Sequence, residues 1–248
     1  YLLVLQNAVC AVRLGMKSVA SAQPTIDSAS QDVNAYYLKL SQEMKENFGY
    51  QEVLPLGAGA NGSVLLCQND LEVWTAVKVD KPDKIDQFCD RDPQDQLYLR
   101  GEGWYNRYVW HLAEQKGLQE EAAKYFQKQV TIEGNNGSRA LESDYYKDGT
   151  LERLMYSKYW HDLQPVDRAG ILAQIAENLL RAANLLQRLG VEYSDWKPAN
   201  IAVDWKTWEI KILDWGLCAF HGYHHDLPTD LQMTIKNRAV SFGEEKER

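Results

Sequence analysis

Residues 191–218, VEYSDWKPANIAVDWKTWEIKILDWGLC, bring Asp195, Lys197, Asn200 and Asp214 into one short stretch. Asp195 is followed at short spacing by Lys197 and Asn200, and the apolar strand-like run Ile210-Lys211-Ile212-Leu213 delivers Asp214 inside Asp-Trp-Gly. In chemical terms, one carboxylate can orient a hydroxyl and a second can hold a magnesium ion. A lysine between them can offset charge on a moving phosphoryl group, and an amide can serve as a further metal ligand. Such residues act only if other elements bring a phosphate donor to them.

Candidates for those elements lie upstream. Residues 56–64 read LGAGANGSV, which places Gly57, Gly59 and Gly62 at G-x-G-x-x-G spacing and Val64 just beyond. A glycine triplet alone is weak evidence, because dinucleotide-binding turns share the spacing. Here strand-like residues 63–67 follow, then a turn at Gln68-Asn69-Asp70 and a second strand over 73–79. A dinucleotide turn would open a helix at its third glycine, so the hairpin favours a glycine-rich lid over phosphates. Glycine backbone can approach phosphate with no side chain in the way. The second strand ends Thr75-Ala76-Val77-Lys78.

The set resembles the protein kinase family, whose catalytic loop, metal-binding turn, glycine-rich lid and V-A-I-K strand follow this order. The resemblance implies that Lys78 reaches the first phosphates of ATP, that Ala76 packs on the adenine, and that a helix glutamate pairs with Lys78. Residues 101–117 carry apolar Tyr105, Tyr108, Val109 and Leu112 at helical spacing, with Glu102 expected in the first turn and Glu114 as the reserve partner. Residues 140–151 resemble the strand and hinge that bind the adenine edge, with those contacts expected near 143–145. Gly149-Thr150-Leu151 should open the next helix. A long helix is marked over 165–189 by Pro165 in its first turn, by the stripe Ile171, Leu172, Ile175, Leu179, Ala182 and Leu186, and by Gly190 as its stop.

The resemblance covers residues 51–218 and departs from the family in three ways. No A-P-E motif follows Gly216 in residues 217–248. Tyr193-Ser194-Asp195 stands where the family has His-Arg-Asp, and Trp215 replaces a phenylalanine. Ser194 removes the arginine that would bind a phosphorylated loop, so control by such phosphorylation is not expected. The reduced plan resembles the minimal effector kinases that bacteria inject into host cells, of the OspG and HopBF kinds. That resemblance implies a host regulatory or chaperone protein as acceptor, and secretion into the host cytoplasm. Residues 17–35 are serine-rich and aperiodic, so residues 1–35 are expected to be flexible, as a secretion signal would be.

Composition bounds the alternatives. A hydrophobic share of 45% with eight tryptophans and fourteen tyrosines supports a real core in 248 residues. The net charge of −8 argues against nucleic acid as the main partner and against an anionic membrane surface. Cys10, Cys67, Cys89 and Cys218 show no close pairing, which fits free thiols in a reducing compartment. Residues 2–12 are apolar but too short for a membrane span. His221, His224 and His225 lack the spaced ligands of a metal site. Trp205 and Trp208 read as caps of a hairpin, and Asp204 reads as a turn residue.

The reading is therefore an α+β, protein-kinase-like two-lobed fold, with a mainly β N-lobe over about 51–145 and a reduced helical C-lobe over about 146–248, the whole domain running from 36 to 248. Its expected activity is ATP-dependent transfer of the γ-phosphoryl group to a protein hydroxyl, with serine or threonine favoured by Asp-x-Lys-Pro. Asp195 would orient the acceptor, Lys197 offset charge, Asn200 and Asp214 hold Mg2+, and Lys78 with Glu102 set the phosphates. Gly57, Gly59, Gly62, Val64, Ala76 and Lys78 would bind ATP. Two alternatives remain: a small-molecule phosphotransferase of the aminoglycoside or choline kinase type, in which Asp-Trp-Gly is also at home, and a non-catalytic kinase-like binding module.

Overall fold

The computed structural model describes residues 29–58, 62–80 and 98–220. Gly59, Cys10, Cys89 and the histidines at 221, 224 and 225 lie outside them. A helix, α1 (Ala29–Phe48), leads into a hairpin of β1 (Glu52–Ala58) and β2 (Gly62–Gln68), then β3 (Trp74–Asp80). Two helices follow, α2 (Tyr98–Gln115) and α3 (Gln119–Tyr125), before β4 (Gln129–Glu133) and β5 (Arg139–Asp144). The five strands form one antiparallel sheet in the order β1-β2-β3-β5-β4.

Alternation along the strands divides that sheet into two faces. Leu65, Cys67, Val77 and Val79 point to one face and are buried there under Leu40 and Met44 of α1, together with Tyr50 and Ala140. The other face carries Val64, Ala76 and Lys78, with Val64 opposite Lys78 and Leu141 opposite Lys78 on the next strand. Helix α2 approaches this second face closely: a Cβ on Gly103 would stand 2.6 Å from Leu141 Cδ2 and 3.0 Å from Thr131 Oγ1. A side chain there would force Leu141 to move.

α1 corrects the sequence reading. Its composition predicts a flexible segment up to residue 35, yet the helix begins at Ala29. Tyr36, Leu40, Met44 and Phe48 recur every fourth residue, and all four lie in or against the upper hydrophobic cluster. The sheet's outer face supplies the burial that offsets the entropy of ordering the helix. Its C-terminal end is tied to the β4–β5 turn by Asn135 N–H donating to the Asn47 carbonyl, and Gly49 at φ 78° ends it.

The rest of the described chain is mainly helical. α4 (Leu151–Tyr156) is capped by Thr150, whose side chain accepts from Arg153 N–H, and α5 (Lys158–Asp162) follows. α6 (Pro165–Leu189) starts on its proline and stops on Gly190 at φ 77°, as the sequence predicts. Its buried face, Ile171, Ile175, Leu179, Ala182, Leu185, Leu186 and Leu189, organises a large cluster that takes in α2, α3 and the short strands beyond. Those strands are β6 (Val191–Tyr193), β7 (Ile201–Val203), β8 (Ile210–Ile212) and β9 (Cys218–Phe220). They pair antiparallel as β6 with β9 and β7 with β8. A mainly antiparallel sheet with helices is compatible with an α+β, kinase-like fold. No helix among the described residues is long and apolar enough to cross a membrane.

Candidate active site

The two short strand pairs carry the acidic residues. Between β6 and β7 the chain makes one 3-10 turn, Pro198–Asn200, which turns Asn200 back towards Asp195. Asn200 Nδ2 donates to Asp195 Oδ2 at 2.7 Å, to the Asp195 carbonyl at 3.2 Å and to Tyr193 Oη at 3.4 Å. Lys197 Nζ lies 2.7 Å from the same Asp195 Oδ2. Tyr193 Oη in turn donates to the Leu213 carbonyl at 2.7 Å, and Leu213 N–H donates to the Asn200 carbonyl at 2.8 Å. Burial holds the Tyr193 phenol well above its ordinary range, so it stays a neutral donor. The loop bearing Asp195 and the strand ending at Asp214 are thereby laced to each other.

Asp214 lies two residues past β8 at φ 53° and ψ 83°, a left-handed conformation that aspartate adopts more readily than most residues. Its Oδ1 accepts from Gly216 N–H at 3.4 Å in a short 3-10 turn, Trp215–Leu217. Trp215 is fully buried, edge-on to Phe126 at 5.2 Å and to Tyr193 at 5.6 Å. Its ring anchors the turn in the large cluster, and its Nε1 has no hydrogen-bond partner among the described residues. The aromatic exchange expected to pack beneath the Glu102 helix does pack, at the cost of one buried donor.

The sheet brings the third part. Lys78 Nζ sits 2.5 Å from Glu102 Oε2 and 3.3 Å from Asp214 Oδ2. Burial alone would lower the Lys78 pKa, but the Glu102 and Asp214 carboxylates more than offset it, and the pKa lies above its ordinary 10.5. Burial, the larger influence, holds the Glu102 carboxyl above its ordinary range although Lys78 pulls it down, and the two side chains stand at ion-pair distance. A buried pair of this kind adds little net stability, and its geometry is better read as preorganisation.

Several expectations need correction. Glu102 is not in a first helical turn: α2 begins at Tyr98, three residues before the glycine taken as its boundary, because a helix tolerates Gly101 inside it. Glu114 is exposed near the C-terminal end of α2 and takes no part. Of the expected ATP-binding residues, Gly57 pairs with Val64 across the β1–β2 hairpin. A Cβ on Gly62 would meet the Val79 carbonyl oxygen at 2.6 Å, so this glycine is required by the packing of β2 on β3 itself. Val64, Ala76 and Lys78 share the half-exposed face.

Sequence reasoning missed the polar groups behind Glu102. Gln129 Nε2 donates to Glu102 Oε1 at 2.7 Å, and Asn106, fully buried on the next turn of α2, bonds the β4 backbone. Trp205 and Trp208 pack on the large cluster beside the β7–β8 turn, with Trp205 stacked on Tyr159 at 5.7 Å. Asp204 is a turn residue, accepting from Lys206 and Thr207 N–H, which holds its carboxyl below the ordinary range.

No family model matches the chain. Partial similarity is found to serine/threonine kinases. A protein named probable serine/threonine-protein kinase from Dictyostelium discoideum is 35% identical over 81 residues, covering 33% of this chain and 5% of that protein. The chloroplastic serine/threonine-protein kinase STN8 of Arabidopsis thaliana is 33% identical over 88 residues, covering 34% of this chain and 17% of its own length. The relationship is kinase-like, and it spans a small part of those proteins.

A metal ion suits the acidic side of the site in one respect. Among the described residues no group of three or more histidine, cysteine or carboxylate side chains could hold a metal by itself. Asp214 and Asn200 offer hard oxygen donors, and among the described residues the three Asn200 amide hydrogen bonds run through Nδ2, with Oδ1 in none of them. Magnesium takes few protein ligands and completes its shell with phosphate and water, so two such oxygens fit it.

Proposed function

We propose that this chain is a protein kinase that transfers the γ-phosphoryl group of ATP to a protein hydroxyl, serine or threonine by preference. The observation that carries the reading is the lysine of β3 held between Glu102 and Asp214 by two ion pairs. The partial similarity to serine/threonine kinases supports it. The donor nucleotide lies between the strand face bearing Val64, Ala76 and Lys78 and the helical part below, in a two-lobed arrangement.

In the proposed reaction Asp195 orients the acceptor hydroxyl and takes its proton late. Lys197, bonded to the same carboxylate, offsets charge on the transferring oxygens. Lys78 holds the donor phosphates, and Glu102 fixes Lys78. Asn200 and Asp214 would hold Mg2+, which supplies charge neutralisation at the phosphates when bound. Nothing covalent passes through the protein; rate comes from position and electrostatics.

Transfer of radiolabel from γ-labelled ATP to a panel of proteins and small-molecule acceptors tests the reading. Labelled serine or threonine in a protein is the expected result. Label confined to aminoglycosides or choline, or no label from the folded protein, would overturn it. The narrower acceptor, a host regulatory or chaperone protein, rests on the resemblance to effector kinases and is tested by including purified chaperones in the panel.

A further inference from the structure

Helix α2 is held to the sheet by polar groups that the phosphate-binding reading does not use. Asn106 Nδ2 donates to the Gln127 carbonyl at 2.7 Å, and its Oδ1 accepts from Gln129 N–H at 2.8 Å, so one side chain closes both backbone positions at the start of β4. Gln127 Nε2 continues the chain of bonds to Ser143 Oγ on β5 at 2.8 Å. One turn before Asn106, Glu102 receives two donors: Lys78 Nζ on Oε2 and Gln129 Nε2 on Oε1. Gly103 removes the side chain that would keep α2 from Leu141 and Thr131.

The Gln129 amide is oriented at a cost. Its Oε1 is buried with no hydrogen-bond partner among the described residues. An apolar side chain of similar volume would avoid that cost if the position served packing alone. What the glutamine adds is a donor aimed at the one carboxylate oxygen that Lys78 leaves open. A carboxylate held at both oxygens cannot rotate away from its lysine.

We propose that Gln129 is a positioning residue which, with Asn106, locks α2 against β4 so that Glu102 presents Lys78 without an activating partner. The inference rests on the kinase reading for its consequence and on the clasp alone for its geometry. Charged and titratable groups that bear on Glu102 are Lys78 on β3, Asp214 after β8 and Cys218 on β9. Gln129 is the neutral group among its partners, so its removal changes hydrogen bonding without changing charge.

Gln129→Met and Gln129→Glu test the proposal, with thermal stability followed in each. Gln129→Met, isosteric but without the donor, should retain its fold and lose about tenfold in kcat, the worth of one hydrogen bond to a charged group. Gln129→Glu sets a second carboxylate against Glu102, and the two regain a bond only by sharing a proton. Its activity relative to wild type should therefore rise as pH falls from about 8 to about 6. Wild-type kcat in folded Gln129→Met, or a Gln129→Glu ratio flat with pH, would overturn the proposal. If the wild-type protein transfers no phosphate, the kinase reading fails by itself, and carboxyl-carbon NMR of Glu102 still decides the clasp. The Glu102 titration midpoint should move up in Gln129→Met, and an unmoved midpoint would overturn it.

Discussion

The hydrophobic cluster around α6 and the one beneath α1 differ in make as well as in size. The first draws on most of the helices and on the short strand pairs, and fills its centre with Trp215, Tyr108, Phe126 and long aliphatics. The second gathers Leu40, Met44, Tyr50, Leu65, Cys67, Val77, Val79 and Ala140 between one helix and one face of a sheet. Asp195, Asn200 and Asp214 hang from the first, and Lys78 is carried by the strand whose other face builds the second. Inside the site Lys78 joins them twice, to Glu102 of α2 at 2.5 Å and to Asp214 at 3.3 Å. A site divided in this way can lose its lysine to a local opening while its acidic half stays folded. Stability then differs between the two parts of one constellation.

Substitutions that remove the chemistry test whether both halves are needed. Lys78→Ala from the smaller cluster, and Asp195→Ala or Asp214→Ala from the larger, should each lower phosphoryl transfer by about 10³-fold or more with circular dichroism unchanged. Near-wild-type rates for any one of them would remove that residue's half from the mechanism.

Next in size come the two cores. Met44→Ala and Leu185→Ala each delete a fully buried side chain and should cost about 2–5 kcal/mol in urea denaturation. The comparison predicts different consequences. Leu185→Ala should shift one global transition, whereas Met44→Ala should broaden it or split off an earlier phase. Identical, coincident transitions would show that the two clusters unfold as one.

Thiol labelling sharpens the same point. Cys67 lies in the smaller cluster and Cys218 in the larger, and both are free and buried. Burial, helped by Glu142, pushes the Cys67 thiol up to about 12 from its ordinary 9.0. Burial likewise raises Cys218. With Cys10 and Cys89 replaced by serine, neither remaining thiol should react with a disulfide reagent at neutral pH until its cluster opens. Cys67 should label first, and faster labelling of Cys218 would reverse the ranking. The pH dependence follows in sign. An unfolded chain ionises Cys67 above pH 9.0, while the folded chain holds the proton to about 12. Folding stability should therefore fall as pH rises through that window.

The smallest effect concerns the join of α1 to the glycine-rich hairpin. Tyr36 Oη and Ser63 Oγ are 3.2 Å apart beside Gly62. Tyr36→Phe should cost about 0.5–1.5 kcal/mol in the same denaturation experiment. No change would mean that the packing of α1 alone covers the sheet.

What could be read in the sequence was what single segments announce. Pro165, the apolar stripe and Gly190 mark α6 because start, face and stop all lie within one run. Lys78, Asp195, Asn200 and Asp214 were legible because each sits in a short motif whose order carries meaning. α1 was half legible: the four-residue spacing from Tyr36 to Phe48 is in the sequence, but the face it covers is built from residues 65, 67, 77, 79 and 140. Gln129 and Asn106 give no local signal. A glutamine on a strand reads as a solvated side chain until β4 is set against α2. The position of Glu102 within its helix was displaced because a glycine inside a helix looks like a boundary.

The grouping of Lys78, Lys197, Glu102, Asp195 and Asp214 also sets an electrical condition on whatever enters. Two cations and three anions leave an excess of one negative charge over two groups of ion pairs, one centred on Lys78 and one on Asp195. A bare triphosphate would be opposed by that excess, and more strongly in low salt, where screening is weaker. A triphosphate accompanied by a divalent cation brings its own compensation and meets attraction on the side of Asp214. If the site takes ATP as proposed, it should discriminate between those two forms before any base or ribose is touched, and free ATP in excess of the cation should be a poor occupant of it.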